Sequence, residues 1–346
     1  MPGSCSPGSQ RTKPMNKITV PIVLMLAGSL MLAGCNKAGK LSEKSKFTPP
    51  SGPVELKQKW PVGEQIVKSI NMKMDMDITV PNQPNPIKQS TTLDQKYGIK
   101  VLRATAEGGR VIEMEFQGIK LQAERPGGAP ITYDSDASDS DSKDREAAAI
   151  RKMFKGVVGS KLQYFLDATN GVERVDGVDA LMSHLGSGAA GSNNGFKDMY
   201  NEAYLREMLG DSRYLPANPV QPNDTWPVHL EMDLGSVGHL MIDYNLTFEG
   251  WEQHGQRMCA RLGIDGTLKT TTSGTNPMGM AMSIDNGTTT GTSWFDPELG
   301  TTIDSDVNQD LSMTIKVPAQ VKGKTTTQTI KMLMHQVLNI KLDSVK

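Results

Sequence analysis

Alternation of apolar and polar residues predicts a mainly β protein, an antiparallel meander forming a curved sheet or half-open barrel. In the clearest run, Ile70, Met72, Met74, Met76, Ile78 and Val80 are separated by Asn71, Lys73, Asp75, Asp77 and Thr79. Such a strand buries one face and wets the other. The same period returns at Leu240, Ile242, Tyr244, Leu246 and Phe248, at Leu311, Met313, Ile315 and Val317, and at Ile330, Met332 and Met334, with Leu338, Ile340 and Leu342 continuing that phase. Glu107-Gly108-Gly109 and Asp296-Pro297-Glu298-Leu299-Gly300 supply the tight-turn chemistry between strands.

Taken from the amino terminus, residues 1–35 read as an export signal. Arg11, Lys13 and Lys17 precede an uncharged stretch from Ile18 to Leu32, a basic n-region followed by an apolar h-region. At about fifteen residues the stretch is shorter than the ~20 that span a bilayer as a helix. Leu32-Ala33-Gly34-Cys35 resembles the lipobox of bacterial lipoproteins. That resemblance implies cleavage between Gly34 and Cys35, diacylation of the Cys35 sulfur, and Cys35 as the first residue of the mature chain. A thiolate is a good nucleophile toward a lipid donor, and two or more buried acyl chains make an anchor effectively permanent. The competing reading is a plain secretory leader with a coincidental cysteine. Asn36 follows where an Asp would imply inner-membrane retention, so the resemblance points to the outer membrane with the body in the periplasm. Met15-Asn16-Lys17 reads as a natural start, which would place Cys5 upstream of it.

Residues 36–56 carry Lys37, Lys40, Lys44 and Lys46, the run Pro49-Pro50-Ser51-Gly52-Pro53 and few large apolar side chains. They read as a flexible linker. The β-rich body follows from 57 to 346. Besides the runs above, strands are expected at Tyr97 to Thr105, Arg110 to Leu121, Lys161 to Asp167, Val228 to Leu234, Arg257 to Leu268 and Met278 to Thr290. About three helices are expected mid-chain. Asp144 to Lys155 stops at Gly156, Val178 to Leu185 stops at Gly186, and Phe196 to Leu209 stops at Gly210.

The body divides into two candidate halves, 57–215 and 216–346. Tyr97, Ile99, Val101, Gly108 and Arg110 have the spacing of Tyr244, Leu246, Phe248, Gly255 and Arg257. Phe165, Asp167 and Gly171 have a counterpart in Phe295, Asp296 and Gly300, and Trp60-Pro61 and Trp226-Pro227 open the halves. Duplication and chance similarity between two β-meanders both account for these matches.

Without residues 1–35 the chain has 34 Lys plus Arg against 38 Asp plus Glu, a formal charge of −4. That balance argues against a nucleic-acid partner. Cys259 is then the single thiol of the body, so no intramolecular disulfide forms and stability comes from a core. His184, His229, His239, His254 and His335 are scattered without zinc-ligand spacing. There is no Gly-x-Ser-x-Gly elbow, and the glycine-rich stretch 186–195 lacks a P-loop lysine. Asp134, Asp136, Asp139, Asp141 and Asp144 imitate a calcium loop, but Asp139 stands where glycine is needed and Arg145 where Glu is needed. No cofactor and no catalytic constellation are expected.

The whole body resembles a family of uncharacterised bacterial lipoproteins known only as a domain of unknown function. The resemblance rests on Trp60-Pro-Val-Gly63, Ile131-Thr-Tyr-Asp-Ser135, Phe165-Leu-Asp-Ala-Thr-Asn-Gly-Val172, and Leu215-Pro216 followed by Pro222-Asn-Asp-Thr-Trp226. It carries no catalytic residues over to this chain.

Methionine is the compositional oddity, 21 residues against 7 Phe. Met72, Met74 and Met76, and again Met278, Met280 and Met282, place three thioethers on one face of a strand. Three readings compete: filler of an irregular core, a plastic wall for an apolar ligand, and soft-metal capture of copper. The function expected is that of a non-enzymatic envelope lipoprotein, tethered to a membrane by its lipid anchor, that binds an apolar small molecule or an envelope protein. The alternatives are copper binding through the methionine strands and a purely structural scaffold.

Overall fold

The computed structural model describes residues 40–81, 83–137, 144–186, 205–206, 208–233, 239–271, 281–321 and 324–346. These form twelve strands: β1 (Gln65–Thr79), β2 (Ile87–Ala104), β3 (Arg110–Ala123), β4 (Ile131–Asp134), β5 (Lys161–Leu166), β6 (Val172–Asp176), β7 (Thr225–Asp233), β8 (His239–His254), β9 (Arg257–Thr271), β10 (Ala281–Asp296), β11 (Thr301–Val321) and β12 (Lys324–Val345). All pair antiparallel in one sheet of order β6-β5-β3-β2-β1-β12-β11-β10-β9-β8-β7, with β4 beside β3. The meander is open, since β6 and β7 end the order at opposite edges. The last strand is the seam: β12 pairs with β1 from Ile66↔Val345 to Thr79↔Lys331 and with β11 on its other side. Alternate residues of the long strands enter one continuous apolar core, as a twisted sheet of this breadth achieves by curling.

Two helices stand among the described residues, α1 (Arg145–Val157) and α2 (Val178–Gly186). Asp144 caps α1, its Oδ1 accepting from Ala147 N at 3.1 Å. The helix runs through Gly156 and the chain turns at Gly159, whose φ is +84°. A Cβ at Gly156 would lie 3.1 Å from the His184 Cβ on α2, so this glycine sets how closely the helices approach. Met153 and Phe154 bury the inner side of α1, and Phe154 stacks on Tyr133 of β4. The third expected helix, Phe196 to Leu209, falls mainly outside the described residues.

The linker departs from expectation. From residue 40 it lies on the body as a strap: Ser45 N donates to Gln256 O at 2.8 Å, and Ser45 Oγ and Lys46 N donate to Glu298 Oε2 at 2.8 and 3.0 Å. Phe47 packs on Trp251, Val54 bridges Val220, and Leu56 is buried. Single apolar residues spaced along a polar segment, together with backbone hydrogen bonds, suffice to dock it, and average composition hides them. Beneath the strap, buried Arg257 donates to Asp296 in the β10–β11 turn, to Glu298 Oε2 at 3.0 Å and to Glu43 O at 3.3 Å. Residues 36–39 lie outside the described residues.

The hairpins β2–β3 and β8–β9 share more than their spacing. Each first strand bulges one residue after the matched apolar position, between Val101 and Arg103 and between Phe248 and Gly250. Val101 exchanges two backbone hydrogen bonds with Gly63 and Glu64, and Phe248 does the same with Asn223 and Asp224. Gly63 and Asn223 both have positive φ, +87° and +75°. Register then pairs Ile66 with Ile99 and Trp226 with Leu246. Trp226 therefore corresponds to Ile66, and the two Trp-Pro pairs are not equivalent. Their likeness arises from short motifs at similar but unequal distances from the strand.

Burial opposes ionisation of Glu298, but hydrogen bonds from Ser45 and Lys46 and the Arg257 charge hold its carboxyl below the ordinary value of 4.5. A depressed carboxyl contributes stability above its unfolded value and loses it as the pH falls through its folded value. Acidification below about 4.5 is therefore expected to release the strap first, raising amide exchange at Ser45, Lys46 and Phe47 while the β1–β12 seam stays protected. Unchanged exchange at those three residues down to the pH of global unfolding would contradict this.

Candidate functional site

On the enclosed face, register aligns inward side chains into cross-sheet rows, about 7 Å apart along the strands and about 4.8 Å from strand to strand. One row reads Ile78 on β1, Met332 on β12, Met313 on β11 and Ile284 on β10. The next reads Met76, Met334, Leu311 and Gly287. Met74, Met76, Met313, Met332 and Met334 are all buried, and they sit on three adjacent strands. Unbranched thioethers fill space with three rotatable bonds each, so this wall can repack around different shapes.

The third row changes character. Thr91 on β2 opposes Met74, which opposes Gln336; Gln336 opposes Gln309, Gln309 opposes Thr289, and Thr289 opposes Gly266. Thr91, Thr289, Gln309 and Gln336 are at most 1% exposed. Thr91 Oγ1, Thr289 Oγ1, Gln336 Oε1 and both side-chain polar atoms of Gln309 have no hydrogen-bond partner. Gln336 Nε2 donates to the Met72 sulfur at 3.3 Å, a weak acceptor. Native structures rarely leave buried amides unsatisfied, because each costs about 1–3 kcal/mol. Met72 occupies the following row between Leu93 and Leu338 and is only partly buried, although both neighbours are buried.

At the far end of the polar row, Tyr244 lies over Gly266. A Cβ there would stand 2.5 Å from its ring. Burial raises the Tyr244 hydroxyl well above its ordinary value, so it stays neutral.

The opposite face carries a groove of about 600 Å³ lined by Ser69, Asn71, Lys96, Asp304, Asp306, Asn339, Lys341 and Asp343. Its charges nearly balance, and several groups are engaged within the sheet. Ser69 Oγ donates to Asp343 at 2.5 Å, Asn339 Nδ2 to Asp306 at 2.6 Å, and His254 Nε2 lies 3.0 Å from Asp304. This groove has the size expected of a ligand cavity but not the apolar lining.

The residues singled out from sequence are only partly brought together. Met72, Met74 and Met76 lie on the enclosed face. Met282 opposes Ile315 on β11, three strands from β1 and four residues along from the row of Met76. Met278, Met280, Cys35 and Gly34 lie outside the described residues, as do Asp139 and Asp141. Asp134 bonds Asp136 N and Lys120, and Asp144 pairs with Arg125 at 2.6 Å. These aspartates are held by backbone and cations. Cys259 is fully buried, and desolvation pushes its thiol well up, which suppresses the reactive thiolate. Ser160 Oγ lies 3.2 Å from His184 Nδ1, but its proton is directed to Gly156 O at 3.1 Å. Asp243, then Glu231, raise the pKa of exposed His229. Among the described residues no group of His, Cys, Asp and Glu is placed to hold a metal ion.

Gln309, Gln336, Thr289 and Thr91 were not candidates from sequence. The signal was present all the same: Gln336 falls in phase between Met334 and Leu338, and Gln309 in phase before Leu311 and Met313. A polar residue at an inward position of an apolar run marks such a site.

The model of a family of unknown function, DUF6263, matches residues 107–302. No curated protein matches. Among solved structures, an outer membrane channel from Pseudomonas putida F1 is 9% identical, aligned over 86% of this chain and 100% of its own, with a TM-score of 0.20. DynF from the dynemicin biosynthesis pathway of Micromonospora chersina is 7% identical over 90% and 96%, with a TM-score of 0.17. A putative outer membrane lipoprotein-sorting protein domain from Vibrio parahaemolyticus is 9% identical over 81% and 84%, with a TM-score of 0.11. Superpositions this poor carry no argument about this chain.

Gly266→Ala tests the close approach beside the polar row. It is expected to lower unfolding stability by about 1–3 kcal/mol through the Tyr244 contact, read from urea denaturation. An unchanged midpoint would show that the ring moves aside freely.

Proposed function

We propose, for a chain that belongs to the DUF6263 family of unknown function, that it is a non-enzymatic lipoprotein of the bacterial envelope which holds an apolar ligand against the inner face of its sheet. The observation that carries this reading is the wall of five buried methionines on β1, β12 and β11. A core built only for stability is better specified by branched side chains in fixed rotamers. A wall that must admit a flexible chain benefits from side chains that move aside at little cost.

The anchor rests on Leu32-Ala33-Gly34-Cys35, with acylation at Cys35 tethering the body to the outer membrane from its periplasmic side. Among the described residues no helix is long and apolar enough to cross a membrane. Copper capture by both methionine strands has less support, because register sets Met282 three strands across and four residues along from Met76, in a different row.

One preparation tests both parts. The wild type expressed in its own host is expected to incorporate radiolabelled palmitate and Cys35→Ser to incorporate none. Wild-type protein released gently from its membrane is expected to carry an apolar molecule visible by native mass spectrometry. Absence of palmitate from the wild type would remove the anchor. A ligand-free protein that also takes up no fluorescent lipid would remove the carrier and favour the scaffold.

A further inference from the structure

We infer that the ligand carries an uncharged polar group, a hydroxyl, ester or amide, which lodges against Gln309 and its neighbours Gln336 and Thr289 while its hydrocarbon lies along the methionine rows. This rests on the reading of the enclosed face as a ligand site and adds what the methionines alone do not specify. Four nearly inaccessible side chains on β2, β12, β11 and β10, aligned in one row, present two hydroxyl oxygens, an amide NH₂ and two amide oxygens without partners. That set both donates and accepts. A hydrocarbon would leave every one of these groups unpaired, whereas a hydroxyl or amide at Gln309 would meet the groups of adjacent β12 and β10, with Thr91 left two strands from Gln336 beyond Met74.

Charge is excluded by the same inventory. The polar row and the two methionine rows beyond it contain no ionisable side chain from β2 to β10. An ionised head group placed there would be desolvated without a counter-charge, which costs far more than burying a neutral one. Buried Lys68 lies on the same face, but six residues along β1 from Met74, about 20 Å away. In the other direction, the inward residues from Gln309 to Ile315 and from Gln336 to Ile330 give about 20 Å of apolar lane. The geometry therefore fits an extended chain with a neutral polar end at the middle of the sheet.

The test uses the full-length protein in neutral phosphatidylcholine nanodiscs and three photoactivatable probes with the same diazirine-bearing chain: hexadecanol, hexadecanoate and hexadecane. Labelling is mapped to peptides of β11 and β12. Hexadecanol is expected to label them at least about tenfold more than the other two, the discrimination that one or two buried hydrogen bonds supply. Gln309→Met combined with Gln336→Met, and separately Thr289→Val, are expected to bring hexadecanol toward the level of hexadecane and to leave hexadecane labelling unchanged. Neither change is expected to lower the thermal midpoint of the ligand-free protein, since each removes an unpaired buried group. Equal labelling by hexadecanol and hexadecane in the wild type would overturn this inference, leaving the carrier reading intact and water as the partner of the row. Preference for hexadecanoate, or a lower midpoint in both variants, would overturn it too. If no probe labels the enclosed face, the carrier reading fails with it.

Discussion

One face of a broad open sheet has to be withdrawn from water, and the side chains that meet there determine what else the molecule can do. In this chain the withdrawal is nearly complete along the central strands, with residues such as Met74, Met313 and Ile340 wholly inaccessible. β12 makes it possible by pairing with β1 over 331–345 and with β11 over 324–341, which joins the strands before residue 215 to those after it. Apolar burial at roughly 25 cal/mol per Å² drives that closure. The same burial makes every inward amide costly, and so draws attention to the few that are there.

The rim opposite the methionine rows has a different organisation. The strap from residue 40, the β8–β9 turn and the β10–β11 turn are fastened together by Arg257, Asp296 and Glu298. With an anchor at Cys35, the five residues to Lys40 span at most about 18 Å. A buried ion pair is a poor source of stability, and register is its better attested use. Here Arg257 joins Glu43 of the strap to Glu298 of the β10–β11 turn.

Much of the fold was legible because alternation survives wherever the inward residue is apolar. β1 is marked by Ile70 to Val80, β8 by Leu240 to Phe248, and α2 by its terminal Gly186, whereas α1 runs on through Gly156. β2 was anticipated only from Tyr97, although it begins at Ile87. Of its first inward positions, Ile87, Gln89, Thr91, Leu93 and Gln95, three are polar, and a polar inward residue erases the pattern by which a strand is recognised. The same blindness shortened β11, whose inward series includes Ser305 and Gln309. The residues that hid the strands are therefore those that make the site unusual. The docked linker is illegible in the sequence for another reason: docking needs only Phe47, Val54 and Leu56 with a few backbone hydrogen bonds, too little to shift its average composition.

A crystal structure of the protein purified from its own host, at a resolution that separates waters from a bound chain, tests the central claim most directly. Elongated density running from the Gln309 and Gln336 amides past Met334 to Met332 would be the predicted result. Discrete waters on the polar row, with the methionines closed over an otherwise filled core, would contradict it.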